Sequence, residues 1–535
     1  HPPLRHQWQP RVRRMATSVR SLRPSTTSSS FHTVTGTVGS TLLTLPPCEG
    51  WSTPPYYFIA ALGDATFYIL PSGFAARRGI MARKVVVIGG GAAGMTAAST
   101  ARGHGAGEIT LITEDEHVAY SPCAIPFVVE GRIKDFQDIV MHTPEFYRRE
   151  RGIDVLVKTS VDKVDEEARR VMTKDGRSFE YDALVIATGG TVFIPPVEGR
   201  ELKGVFPVRG ISDGQAIMER LPMVHQAVVA GAGVIGLEMA VALRARGKEV
   251  TVVEMFDQVV PRILDRDMAQ LVQAHCEALG IRFILGAPLS CIEGEGSVTG
   301  VTAGRHQVPC QMVIMATGVR ANLRIPEQMG LEIGPLGGVR VSPSLQPYRK
   351  GRLVPDVYLA GDVVMCQSAV LAGPTMSQLG STAVRQGRVA GIRAAGGSAT
   401  FPGTASPWIS VIGDMHVGGT GMSRSLAEYY GVKVAEATGV GSSRARYYPG
   451  GKDITVKLLA DAGSGRLIGG QIVGGEDVAG RVNWITAAIL EGVTAGAFVE
   501  RFEGSYCPPT SMVVDTVCAA AERLEKVLRA QGKSV

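Results

Sequence analysis

Cys123 is the residue whose surroundings most clearly suggest chemistry. It lies in Tyr120-Ser121-Pro122-Cys123-Ala124-Ile125-Pro126. Pro126 suits the first turn of a helix, which would put the thiol near a helix N-terminus. There the helix dipole and free backbone N–H groups favour a thiolate, the nucleophile that opens a disulfide or persulfide. The alternative is an inert packed thiol, the usual fate of a lone cysteine. Two glycine clusters offer a second kind of chemistry. Gly89-x-Gly91-x-x-Gly94 and Gly231-x-Gly233-x-x-Gly236 share the spacing of a turn whose backbone N–H groups cradle a pyrophosphate.

Each cluster needs a strand before it and a helix after it. Val85-Val86-Val87-Ile88 is a β-branched run suited to a buried parallel strand, and Met95-Thr96-Ala97-Ala98 continues into a helix of small residues. A second strand from Ile109 to Thr113 ends in Glu114, 20 residues past Gly94 and nine before Cys123, where an acid can hydrogen-bond a ribose diol. The order recurs in Ala227-Val228-Val229-Ala230, the second glycine turn, Leu237-Glu238-Met239-Ala240, and a strand from Glu249 to Val253 ending in Glu254. One such motif is weak; two, each set strand–turn–helix–strand–acid, are specific. The expected dinucleotide contacts are Gly89, Gly91, Ala92, Ala93, Gly94 and Glu114 in the first unit. In the second they are Gly231, Gly233, Val234, Ile235, Gly236 and Glu254. A carboxylate at 254 suits the free 2′-hydroxyl of NADH and repels the 2′-phosphate of NADPH, and no Arg or Lys follows before Arg262. NADH is therefore expected over NADPH.

Three further runs are strand-like and end in characteristic turns: Asp182 to Thr188-Gly189, Val313 to Thr317-Gly318, and Val357 to Gly361-Asp362. Together with the paired glycine turns they resemble the pyridine nucleotide–disulfide oxidoreductases, over essentially all of residues 81–535. The resemblance implies an α/β fold with two Rossmann-like dinucleotide-binding domains, for FAD and NAD, and a C-terminal α+β dimerisation domain. It divides the chain into a first FAD segment (81–195), an NAD(H) domain (196–325), a second FAD segment (326–402) and a dimerisation domain (403–535). It implies that Asp362 holds the ribityl chain of FAD, that Thr188, Gly189, Gly361 and Gly318 border the cofactors, and that Gln378 to Gly391 is a helix near the flavin. The expected dimerisation domain has strands at Ile454 to Ala460 and Leu467 to Val473, and helices from Val478 and Met512.

Departures from the family pattern narrow the reaction. The position five past Cys123 is Val128, so the C-x-x-x-x-C of glutathione reductase-like members is absent, and the last His is His416. The chain resembles the single-cysteine branch: coenzyme A disulfide reductases, NADH oxidases and peroxidases, and persulfide or polysulfide reductases. Where oxidases and peroxidases carry a His in the first glycine turn, this chain has Ala92, which favours a low-molecular-weight disulfide, persulfide or polysulfide as acceptor. Tyr506, in Ser505-Tyr506-Cys507-Pro508-Pro509, matches a tyrosine near the partner subunit's active site in coenzyme A disulfide reductases. Cys507 could be a second thiol reaching Cys123 across a homodimer. The rival readings are an NADH oxidase or peroxidase working through a Cys123 sulfenate, an electron-transfer reductase feeding a protein partner, and a nucleotide-sensing protein without turnover.

Bulk properties exclude other classes. The net charge of +6 resides wholly in residues 1–80, with eight Arg against Glu49 and Asp64; the remainder balances 47 basic with 47 acidic residues. No nucleic-acid partner is expected. Eight cysteines without C-x-x-C or zinc spacing read as reduced cytoplasmic thiols, with no metal. No apolar run is long enough for a membrane helix. Residues 1–80 are Ser-, Thr-, Pro- and Arg-rich at first and precede a clean restart at Met81. They read as a disordered or non-native extension, a targeting peptide being the other possibility.

Overall fold

The computed structural model describes residues 82–371 and 373–531, with three short strands in the first eighty residues. Those strands, Thr41–Leu43, Tyr56–Ala60 and Tyr68–Pro71, form an antiparallel sheet within a unit of its own, residues 1–80. The expectation for the rest of that stretch lies outside the described residues.

From Met81 onward the chain forms one compact unit built on three five-stranded sheets. The first is wholly parallel, in the order Val357–Leu359, Ala183–Ile186, Val85–Ile88, Ile109–Ile112, Asp154–Leu156. Its four apolar strands are buried along their whole length, as parallel strands covered on both faces must be. The second sheet is also parallel: Val205–Pro207, Met312–Met315, Gln226–Ala230, Glu249–Val253, Ile281–Ile284. Each contains an antiparallel three-stranded insertion, Val161–Asp165 to Ser178–Glu180 just before the fourth strand in chain order of the first and Leu289–Glu293 to His306–Pro309 just before the fifth of the second. The two units thus repeat one architecture, as the paired glycine motifs predict. They differ at the edge, where the first sheet takes a strand from later in the chain and the second takes one from before its glycine turn.

Helix α1 (Ala92–Gly103) follows the first turn and is crossed by α2 (Gly380–Ala394), the helix expected from Gln378. Only glycine permits their approach: a Cβ on Gly387 would lie 2.4 Å from the Ala93 carbonyl oxygen, and one on Gly391 2.4 Å from that of Ala97. Through this contact Gln386 reaches the loop after Leu359 and accepts a hydrogen bond from Gly361 N–H at 2.8 Å.

The third sheet is antiparallel, in the order Trp408–Ile412, Met415–Gly421, Leu467–Gly474, Asp453–Asp461, Val434–Ser442. Helices Val478–Leu490, Ala495–Arg501 and Thr516–Ala530 share its core. The last helix begins at Thr516 rather than near Met512, because Asp515 acts as its N-cap, accepting from Val517 N–H, and also binds Arg481 at 2.7 Å.

This sheet is joined to the second unit by buried charge. Lys457, only 3% exposed, projects from the strand Asp453–Asp461 onto Asp265 (3.1 Å), Asp267 (3.0 Å) and Glu436 (3.2 Å). Beside it Gln471 accepts from Asp265 N–H at 2.8 Å. Desolvation opposes the charge on Lys457, but the surrounding carboxylates prevail and its pKa is raised. Lys457→Met leaves Asp265 buried without its counter-ion and is expected to cost about 3–5 kcal/mol. A lysine whose folded pKa is raised stabilises fully below its unfolded value, near pH 10.4, and loses that contribution as pH rises through the folded value. Thermal unfolding should therefore show a Tm gap between wild type and variant that persists through neutral pH and closes only in strong alkali.

Candidate functional site

The two glycine turns have nearly superimposable constraints. Gly89 has φ +112°, and a Cβ there would lie 2.1 Å from the Ala187 carbonyl oxygen; Gly231 has φ +107° and the same conflict, at 2.3 Å, with Ala316. A Cβ on Gly94 would meet the Gly89 carbonyl at 1.9 Å, and one on Gly236 the Gly231 carbonyl at 2.0 Å. These four glycines bring strand, turn and helix into contact. The middle glycines differ, because a Cβ on Gly91 or Gly233 would face open space within 4 Å. Each caps a helix without a side-chain cap or an acid in the first turn: α1 starting at Ala92 and α3 (Val234–Ala245) starting at Val234. The first-turn N–H groups of Ala92, Ala93, Val234 and Ile235 thus have no side-chain cap, the arrangement that receives a pyrophosphate. The residues present fit two dinucleotides.

The acids after the second strands are placed differently. Glu114 is exposed, accepting from Ser160 Oγ at 2.6 Å and lying 3.6 Å from Arg324. Glu254 is buried, one oxygen accepting from Ala232 N–H at 2.8 Å and the other from Phe256 N–H at 3.0 Å. Its carboxylate stitches the second glycine turn to the loop after its own strand and retains lone pairs for a ribose. The Arg262 guanidinium lies over the Phe256 ring, 5.6 Å from its centroid.

Thr188-Gly189 and Thr317-Gly318 sit at the junction of the two parallel units. Thr188 Oγ1 donates to the Asn322 carbonyl at 2.9 Å, and the ribbon Gly190–Val192 pairs antiparallel with Val319–Ala321. Gly189, Gly318 and Gly361 all have positive φ. Asp362 faces this junction and accepts from Arg209 Nη2 at 3.0 Å. Sequence reasoning missed Arg209, whose guanidinium is also the nearest group to a Cβ built on Gly189.

Cys123 occupies a single 3-10 turn, Pro122–Ala124, that runs into helix α4 (Ile125–Glu130) with Pro126 in its first turn. The thiol is accessible. The expected thiolate stabilisation does not appear, since desolvation and then the Glu238 carboxylate push the thiol above its usual value, outweighing Ser121 and Arg209. A six-residue helix supplies little dipole against a nearby carboxylate. Glu238 follows the last glycine of the second turn and was quoted in that motif only as helix. It is partly buried, accepts from Ser410 Oγ at 2.6 Å, and is pushed up to about 7 by desolvation.

Tyr506 and Cys507 lie apart from this cluster in the primary chain, on an exposed loop of the C-terminal unit. Tyr506 shares a 2.5 Å hydroxyl–hydroxyl hydrogen bond with Tyr447, and Ala445 N–H donates to the Pro508 carbonyl at 3.2 Å, so the two loops form one surface. Tyr447 was not anticipated. The local sequence carries no hint of a pairing made across 59 residues. Cys276, Cys310 and Cys366 are buried and their thiols pushed up by desolvation, in line with a packing role.

Comparison with known proteins agrees with this geometry. Residues 83–387 match the pyridine nucleotide-disulphide oxidoreductase family, and residues 409–516 match the dimerisation domain of the same family. The chain is 44% identical over 452 residues to an NADH oxidase of Methanocaldococcus jannaschii, covering 83% of this chain and 99% of that one. It is 33% identical over 450 residues to an NAD(P)H coenzyme A polysulfide/persulfide reductase of Pyrococcus horikoshii, with the same coverage. Among solved structures, an NAD-dependent persulfide reductase from A. fulgidus superposes with a TM-score of 0.80 at 31% identity, covering 84% of each chain. The paired glycine cradles, the Gly361-Asp362 turn and the C-terminal sheet therefore identify the chain as a member of the pyridine nucleotide–disulphide oxidoreductase family, an NAD(P)H-dependent flavin oxidoreductase.

Proposed function

We propose that this protein uses NADH to reduce low-molecular-weight disulfides, persulfides or polysulfides at Cys123, coenzyme A derivatives among them. The carrying observation is an accessible thiol on a turn that runs into a helix packed on the NAD unit, with the apolar Val128 where a second cysteine would sit. FAD would rest on the N-terminus of α1, with Glu114 at its ribose and Asp362 at its ribityl chain, and supplies the two-electron relay between nicotinamide and thiol. NADH would rest on the N-terminus of α3, with Glu254 at its ribose. Cys123 attacks one sulfur of the acceptor's S–S bond, the other sulfur leaves as a thiol, and Cys123 holds the attacked sulfur as a mixed disulfide or persulfide. The name of the Pyrococcus horikoshii relative supports this acceptor class.

Tyr447 and Tyr506, with Cys507 beside them, form an exposed hydroxyl and thiol surface on the dimerisation domain. In a homodimer, which that domain supports, this surface would serve the partner's Cys123, by donating to the departing thiol or by resolving the mixed disulfide. Tyr506 itself is a poor acid, since the hydrogen bond to Tyr447 raises its pKa. Among the described residues no helix is long and apolar enough to cross a membrane, and all seven described cysteines are free. The free thiols support a reducing, cytoplasmic setting.

The second reading is an NADH oxidase working through a Cys123 sulfenate, favoured by the 44% identity to a relative of that name. Anaerobic NADH consumption with coenzyme A disulfide or polysulfide separates the two. In the disulfide reading, Cys123→Ser loses turnover by a factor on the order of a hundred or more. Undiminished turnover in the variant would sink the thiol mechanism, and NADH loss only when air is admitted would establish the oxidase. Nucleotide choice is tested separately. Glu254→Gln should raise the KM for NADH and narrow the NADH-over-NADPH preference about tenfold, measured as the ratio of kcat/KM values. An unchanged ratio would remove Glu254 from nucleotide selection.

A further inference from the structure

Glu238, which among the described residues forms no salt bridge, acts through its charge on the thiol of Cys123. Helix α4, which begins two residues after Cys123, packs against α3, whose second turn carries Glu238; Ile125, Val128, Val129, Leu237 and Val241 share one core. From the opposite side the strand Trp408–Ile412 presents Ser410, itself 5% exposed, which donates to Glu238 at 2.6 Å. Glu238 thus sits on the helix that packs against α4 and is held by the C-terminal sheet. The other charged groups on these elements are engaged elsewhere. Glu130 pairs with Arg132, and Asp414 with Lys452 and His275. Asp213 accepts from the N–H groups of Arg209 and Gly210, while Arg244 and Arg246 donate to backbone carbonyls. Arg209, the cation that acts on Cys123, is paired with Asp362.

We propose that Glu238 is the positioning acid of Cys123: the two side chains carry one negative charge between them, and the burial of Glu238, opposed by its hydrogen bond from Ser410, sets which of them holds it. With Glu238 neutral, Cys123 is free to be a thiolate; with Glu238 ionised, like-charge repulsion keeps Cys123 a thiol. In turnover, two electrons from NADH break the S–S bond of a Cys123 mixed disulfide. Cys123 keeps one pair as thiolate, and the departing sulfur takes the other with one proton and leaves as a thiol. That proton is drawn from solvent, and Glu238 stays neutral while Cys123 carries the charge.

The inference rests on Cys123 being the reacting thiol, but its test requires no turnover, so the two can fail independently. The flavin-loaded, thiol-reduced protein is treated with iodoacetamide at pH values from about 5 to about 9, spanning ordinary carboxyl and thiol titrations. The Cys123 peptide is quantified by mass spectrometry. Glu238→Gln should lower the apparent pKa of Cys123 and speed its alkylation about tenfold at neutral pH. Ser410→Ala removes a hydrogen bond to the ionised carboxylate, keeps Glu238 neutral to higher pH, and should shift the profile in the same direction by less. Glu238→Asp, which retains the charge, should stay closer to wild type than Glu238→Gln. A Cys123 profile unchanged or shifted upward in Glu238→Gln overturns the proposal. If that variant does not fold, an unchanged profile in Ser410→Ala does so.

Discussion

The backbone of Gly94 lies against the carbonyl of Gly89, and Gly89 in turn against Ala187, at distances that admit no side chain at either glycine. Most of the molecule depends on that approach and its repetition at Gly236, Gly231 and Ala316. It aims the N-terminus of each helix along the cradle left open at Gly91 or Gly233. It also brings the Thr188 and Thr317 strand ends beside the turns, where a short ribbon couples the two units. A methyl group at any of the four contact glycines would force strand and helix apart and displace the N–H groups that face a pyrophosphate.

The chemistry is then set by desolvation more than by the helix dipole. The Cys123 thiol, though accessible, is partly desolvated and feels the Glu238 carboxylate, so it is harder to ionise than an ordinary cysteine. Arg209 opposes this, but its guanidinium is shared with Asp362. The charge on Glu238 is in turn set by its own desolvation, opposed by a hydroxyl from the C-terminal sheet. The thiol, the nucleotide unit and the dimerisation domain are therefore electrostatically linked at one point.

A second link lies on the same face of the NAD unit. Lys457 and Gln471 from the C-terminal sheet hold Asp265 at the start of the helix Arg266–Ala278, close in sequence to the loop that follows Glu254. Buried ion pairs of this kind contribute less to net stability than to a defined arrangement, because removing one partner strands the other. Here the arrangement fixes the C-terminal sheet against the NAD unit, which is what places Ser410 at Glu238.

The primary sequence alone determined the repeated α/β architecture, the positions of both glycine turns, Glu114, Glu254, the Gly361-Asp362 turn and the place of Cys123 just ahead of a helix. These are local features, with signals in contiguous residues: β-branched runs, glycine at fixed offsets, an acid at a strand end. Only the tertiary structure decided that Cys123 is disfavoured as a thiolate, that Arg209 faces Asp362, that Tyr447 accompanies Tyr506, and that Glu238 and Ser410 meet across 172 residues. Those outcomes depend on long-range proximity and desolvation, which arise when separate elements pack together and which no local spacing encodes.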